Sequence, residues 1–88
     1  MTDKESLIEY PCDFPIKVMG KIQDGLLPAI VHVCKQFDPQ FDEAKVEQRL
    51  SKGGNYLGLT VTVRVTSREQ LDEVYRTLST HPMVSVVL

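Results

Sequence analysis

Leu57-Gly58-Leu59-Thr60-Val61-Thr62-Val63-Arg64-Val65-Thr66 decides the fold class of this chain. Leu57, Leu59, Val61, Val63 and Val65 fall on one side of an extended backbone. Gly58, Thr60, Thr62, Arg64 and Thr66 fall on the other. Successive side chains of a strand point to opposite faces, so this alternation describes a long strand buried on one side only. A sheet built around it needs a second layer on its apolar face and leaves the other face open.

The chain on the C-terminal side supplies part of that layer. Ser67 and Gln70 have capping-box spacing, with the serine accepting from the Gln70 amide and Gln70 reaching back. Leu71, Val74, Tyr75 and Leu78 then form one stripe of a helix. His81-Pro82 breaks the chain, and Met83 to Leu88 reads as a last strand with Val84, Val86 and Leu88 inward.

On the N-terminal side, Ser51-Lys52-Gly53-Gly54-Asn55 is a hairpin turn whose glycines permit positive φ. Before it, Ala44, Val46, Gln48 and Leu50 alternate with Lys45, Glu47 and Arg49, the pattern of a half-exposed strand. Leu26, Leu27, Ile30, Val33, Cys34 and Phe37 make another helical stripe, with His32 and Lys35 directed to solvent. Asp24 is the expected cap of that helix, Pro28 belongs to its first turn, and Asp38-Pro39 ends it. Phe14 to Met19 alternates once more, with Phe14, Ile16 and Val18 on one face and Gly20 closing the strand.

The order is therefore β-α-β-β-α-β. Crossover handedness puts both helices on one face of an antiparallel sheet, giving an α+β, ferredoxin-like sandwich of strand order 4-1-3-2. Residues 14–88 form this single domain, and residues 1–13 an N-terminal arm whose Leu7, Ile8 and Tyr10 clamp it to the body.

At 88 residues the chain holds one domain with a thin margin of stability. A hydrophobic fraction of 42% and a charged fraction of 25% exclude wholesale disorder. The net charge of −2 argues against a nucleic-acid partner gripped through phosphates. No apolar run approaches the roughly 20 residues needed to span a bilayer. The opening Met1-Thr2-Asp3-Lys4-Glu5-Ser6 resembles neither a signal nor a transit peptide, so a cytoplasmic location is expected. Cys12 and Cys34 lack CxxC spacing; neither a metal site nor a disulfide is expected, and Cys34 reads as a small buried hydrophobe.

Several chemistries recur on this topology, each with its own residue signature. Acylphosphatases grip phosphate with an arginine in the loop after the first strand, and here that loop reads Gly20-Lys21-Ile22-Gln23-Asp24-Gly25. Metal carriers need a CxxC in the same loop. RNA-recognition domains display stacking aromatics on the open face, where Lys17, Met19, Thr60, Thr62 and Arg64 are expected and only Tyr56 offers a ring. His32 and His81 have no adjacent acid. No catalytic residue and no cofactor is assigned. Within the loop, Gly20, Lys21, Asp24 and Gly25 are the candidate ligand-binding residues: glycines allow close approach, and a helix N-terminus follows. A plain β–α connection accounts for the same residues.

Phe14-Pro15-Ile16-Lys17-Val18-Met19-Gly20 and Ser51-Lys52-Gly53-Gly54-Asn55-Tyr56, with Ile8-Glu9-Tyr10-Pro11-Cys12-Asp13 and Val84-Ser85-Val86-Val87-Leu88, resemble the YbeD family of small bacterial proteins. The likeness covers nearly the whole chain; Gly53-Gly54 stands where a related sequence has a single glycine, which implies a longer hairpin here. It implies a ferredoxin-like domain similar to ACT-type regulatory domains, which bind small effectors at subunit interfaces. It implies no activity and carries over no site residue.

The expectation is a non-enzymatic, cytoplasmic binding or regulatory domain. Its partners are a small effector, a protein, or a second copy meeting the open face or the Ala44–Leu50 edge strand. A single-stranded RNA-binding module using the open face is the alternative.

Overall fold

A computed structural model of the chain describes residues 9–88. The expected contacts of Leu7 and Ile8 lie outside the described residues. Tyr10, which precedes β1 and is joined to Pro11 by a cis bond, packs against the core.

The elements are β1 (Cys12–Lys21), α1 (Leu26–Phe37), a 3-10 turn (Glu43–Lys45), β2 (Glu47–Leu50), β3 (Tyr56–Val65), α2 (Arg68–Ser79) and β4 (Val86–Val87). They form one four-stranded antiparallel sheet of order β2-β3-β1-β4, the ferredoxin-like arrangement. The long strand is where the alternation places it. Leu59, Val61, Val63 and Val65 of β3 are buried, facing Ile16 and Val18 of β1 and, from the helices, Ile30, Cys34, Val74 and Leu78.

β1 is longer than the Phe14–Met19 alternation indicates because β3 templates it along its full ten residues, from Cys12 opposite Val65 to Lys21 opposite Tyr56. Pro15 is no obstacle. Ile22 N–H donates to Asn55 O at 3.1 Å, which fixes the ladder's phase. Even-numbered β1 residues thus bond β3, and the proline nitrogen faces the other way, beyond the end of short β4.

Both edge strands depart from expectation. Ala44 and Lys45 are not extended: Asp42 caps the 3-10 turn, its carboxylate accepting from Ala44 N–H at 3.0 Å. β2 is therefore four residues long and exposed throughout, so its supposed inner face has no cover; Leu50 is 62% exposed. At the other edge, His81 to Val84 forms a turn, with Val84 N–H on His81 O and Met83 N–H on His81 Nδ1. Pairing with β1 starts only at Ser85. This resets the phase: Val87, opposite buried Val18, packs on the core, while Val86 and Leu88 lie on the open face. Val84 packs against the core from the turn, as expected of it.

The helix starts also differ in detail. Gly25, not Asp24, is the N-cap of α1, with φ 94° and no side-chain cap bond, because Pro28 as third helical residue sets the first turn one position later. The Ser67 hydroxyl does accept from Gln70 N–H at 3.1 Å, yet Gln70 reaches back to Thr66 rather than to Ser67. Its Oε1 accepts from Thr66 N–H at 2.7 Å while its Nε2 donates to Phe37 O at 3.4 Å. One glutamine thus ties the start of α2 to the end of α1. Ser67→Ala is expected to cost about 0.5–2 kcal/mol through loss of the cap; an unchanged urea midpoint would contradict that role.

Candidate functional site

The loop residues separate on inspection. Gly20 is buried at the end of β1, and a Cβ there would stand 2.3 Å from Met83 O, so a close backbone crossing requires this glycine. Gly25 is required by its left-handed φ. Lys21 and Asp24 are exposed. The helix start has little to give an anion: Leu26 N–H is on Gln23 O, Ala29 N–H is on Gly25 O, and Pro28 has no N–H. Only the Leu27 amide remains in the first turn.

A concave site forms instead on the open sheet face. Cross-strand rows set Lys17 beside Thr60 beside Glu47, and Met19 beside Gly58 beside Arg49. Neighbours in such rows have Cβ atoms roughly 5 Å apart, so these side chains border one another. The resulting groove has a volume of about 490 Å³, with Leu50 and Leu88 also on its rim. That volume falls within the range of about 300–1,000 Å³ common for small-ligand sites.

Gly58 makes the groove. Its φ is not in the left-handed region, and a Cβ built there would meet only Arg49 O at 3.5 Å and the Met19 methyl at 4.0 Å. The backbone therefore does not demand glycine, and what its presence achieves is a missing side chain at the groove floor. Two cations, Lys17 and Arg49, and one anion, Glu47, border the opening. Among the described residues none lies within ion-pair distance of Lys17 or Arg49, whereas Arg64 further along the face pairs with Asp13 at 3.3 Å. Tyr56 is the single aromatic residue that β3 places on this face, at its far end opposite Lys21.

Other groups with chemical potential are structurally occupied. Burial, reinforced by the nearby Asp38 carboxylate, pushes the Cys34 thiol up to about 12, so it stays a neutral hydrophobe at physiological pH. His32 is exposed and meets Gln36 at 3.3 Å, and His81 Nδ1 is used by the turn before β4. Asp38, which the sequence marked only as a helix stop, is nearly buried and accepts two backbone amides, Gln40 N–H and Arg64 N–H, each at 3.1 Å. Nothing local in the sequence signals the second contact, which spans 26 residues. The groove had a signal: a glycine inside the strongest strand, as its third residue.

Fold and surface together define a small ferredoxin-like domain whose helices cover one sheet face and leave the other free. No described helix is long and apolar enough to cross a membrane. Residues 5–88 match the family model described as a protein of unknown function, DUF493, and the chain belongs to that family. It is 66% identical to a UPF0250 protein of Ralstonia nicotianae over 97% of this chain and 88% of the relative. It is 67% identical to a UPF0250 protein of Bordetella pertussis over 97% and 93%. The resemblance to the YbeD family is thereby upheld. The solution structure of protein HP0495 from H. pylori matches the fold with a TM-score of 0.76, at 20% identity, covering 100% of this chain and 94% of that one.

Proposed function

We propose that this chain is a non-catalytic, cytoplasmic binding domain of regulatory type, taking a small zwitterion of amino-acid size in the groove over Gly58. The observation that carries the reading is the optional glycine itself, which hollows the sheet's best-formed ladder near its Tyr56 end. Lys17 and Arg49 suit a carboxylate, Glu47 suits an ammonium group, and Met19 and Leu88 offer apolar contact. A charged pair of opposite sign at one small opening favours a zwitterion over a simple anion.

Thermal denaturation with a panel of free amino acids tests this. At a hundred times its Kd a ligand of the native state adds about 2.7 kcal/mol. In a domain of this size that is a rise in Tm of about 10 °C or more. Gly58→Val, which fills the groove, should abolish the shift while its own Tm stays level or rises, since valine favours strands. A panel with no shift, or a shift that survives Gly58→Val, defeats the proposal. Oligonucleotide binding that weakens steeply with salt would favour the RNA-binding alternative instead.

A further inference from the structure

We infer that β2 is a homodimer edge, pairing antiparallel with β2 of a second copy about a two-fold axis at Gln48. Among the described residues the sheet ends there: β2 has β3 on one side and no strand on the other. An edge strand carries a row of unused backbone donors and acceptors, a template for another strand.

The phase of those groups follows from the ladder. Ser51 N–H donates to Tyr56 O at 2.9 Å. Pairs of that parity, including Arg49 with Gly58 and Glu47 with Thr60, exchange bonds with β3. Gln48 and Leu50 therefore direct their N–H and C=O groups outward. A two-fold axis at Gln48 sets Gln48 against its own copy as a bonded pair. It also brings each Leu50 N–H to the Val46 carbonyl opposite; the Val46 N–H is already spent on Glu43 O.

Side chains choose the same register. With the axis at Gln48, Glu47 of each copy stands opposite Arg49 of the other, twice over, and half-buried Val46 stands opposite the exposed Leu50. Centring on Glu47 or on Arg49 sets like charges face to face, which destabilises a cross-strand pair. A pairing centred further back needs Lys45 extended, and Lys45 belongs to the 3-10 turn. Charges on an edge usually deter a neighbouring strand. These deter any strand but their own, because the Glu47-Gln48-Arg49 order is its own complement under two-fold symmetry. Two four-stranded sheets then join as one of eight strands.

Sedimentation equilibrium across a concentration range is the test. Wild type should dimerise. Arg49→Glu and Glu47→Arg should each raise the dissociation constant about a hundredfold or more, since each sets like charges opposite one another. Mixed together, the two single variants should pair as a heterodimer, and the double swap Glu47→Arg with Arg49→Glu should restore the homodimer. Thr62→Glu, on the open face away from the edge, should leave dimerisation unchanged. A wild type that stays monomeric throughout overturns the inference. So does a dimer indifferent to Arg49→Glu, or single variants that fail to rescue each other. Glu47 and Arg49 enter both readings, paired across the axis in the dimer and bordering the groove, so the zwitterion reading is tested apart from them, by the thermal shift and Gly58→Val.

Discussion

Val61→Asp should abolish the cooperative thermal unfolding transition altogether. Val61 has no exposed surface and sits mid-strand in β3, directly opposite Ile16, which is equally buried. A carboxylate placed there must either remain charged without a partner or take up a proton at a cost of several kcal/mol. Native domains have only about 5–15 kcal/mol in total, and one of this size lies toward the lower end. The substitution also removes the valine's own packing. Circular dichroism through a thermal ramp measures the outcome. A Val61→Asp protein that melts in a single sharp transition would show that the β3 side chain at this position does not face the core.

Asp38→Ala is expected to lower stability by about 3–6 kcal/mol, since a hydrogen bond to a charged group contributes roughly 1.5–3 kcal/mol and two are lost. Asp38 closes α1 and simultaneously holds β3 in place. Its backbone N–H remains on Cys34 O at 2.8 Å after the substitution, so the helix end itself survives. What is lost is the carboxylate bridge from Gln40 N–H to Arg64 N–H. Arg64 lies beyond the reach of β2, whose last partner on β3 is Thr60, so its amide depends on that side chain. Asp38→Asn, which keeps one acceptor oxygen, should fall between alanine and wild type. Urea denaturation of the three proteins decides the matter; equal midpoints would mean that water replaces the carboxylate without cost.

How much was legible in the sequence follows from which forces act locally. β3 could be read residue by residue because one face is wholly buried, and a one-residue slip would move every valine to the wrong side. The helices were legible from their stripes for the same reason. β2 and β4 were not, because β2 is exposed throughout and β4 covers Val87 alone. Their limits are set by single side chains, the Asp42 carboxylate at one and the His81 ring at the other, and periodicity carries no trace of such contacts. The last strand has the opposite parity from its alternation on this account: Val86 and Leu88 face outward, and Val87 faces inward. The loop glycines drew attention as ligand contacts, yet Met83 O and a left-handed φ account for them. The groove assembles from β1, β2 and β3 only once the register is known, so Glu47, Arg49 and Gly58 could not be grouped beforehand.

The β1–β3 ladder also governs how the chain reaches this structure. Its partners are distant: Lys21 meets Tyr56, and Cys12 meets Val65. The sheet's longest ladder thus cannot form until a large loop, α1 and β2 included, has been drawn closed, and that entropy is lost before any bond of the ladder repays it. Locally connected pieces, α1, α2 and the β2–β3 hairpin, carry no such charge and can flicker into shape early. The meeting of the two central strands is therefore expected to be the slow event, as contacts of high sequence separation are late to form. Residues of β1, though translated before those of β3, are in this sense completed late: their place in the sheet waits for Val65 to exist.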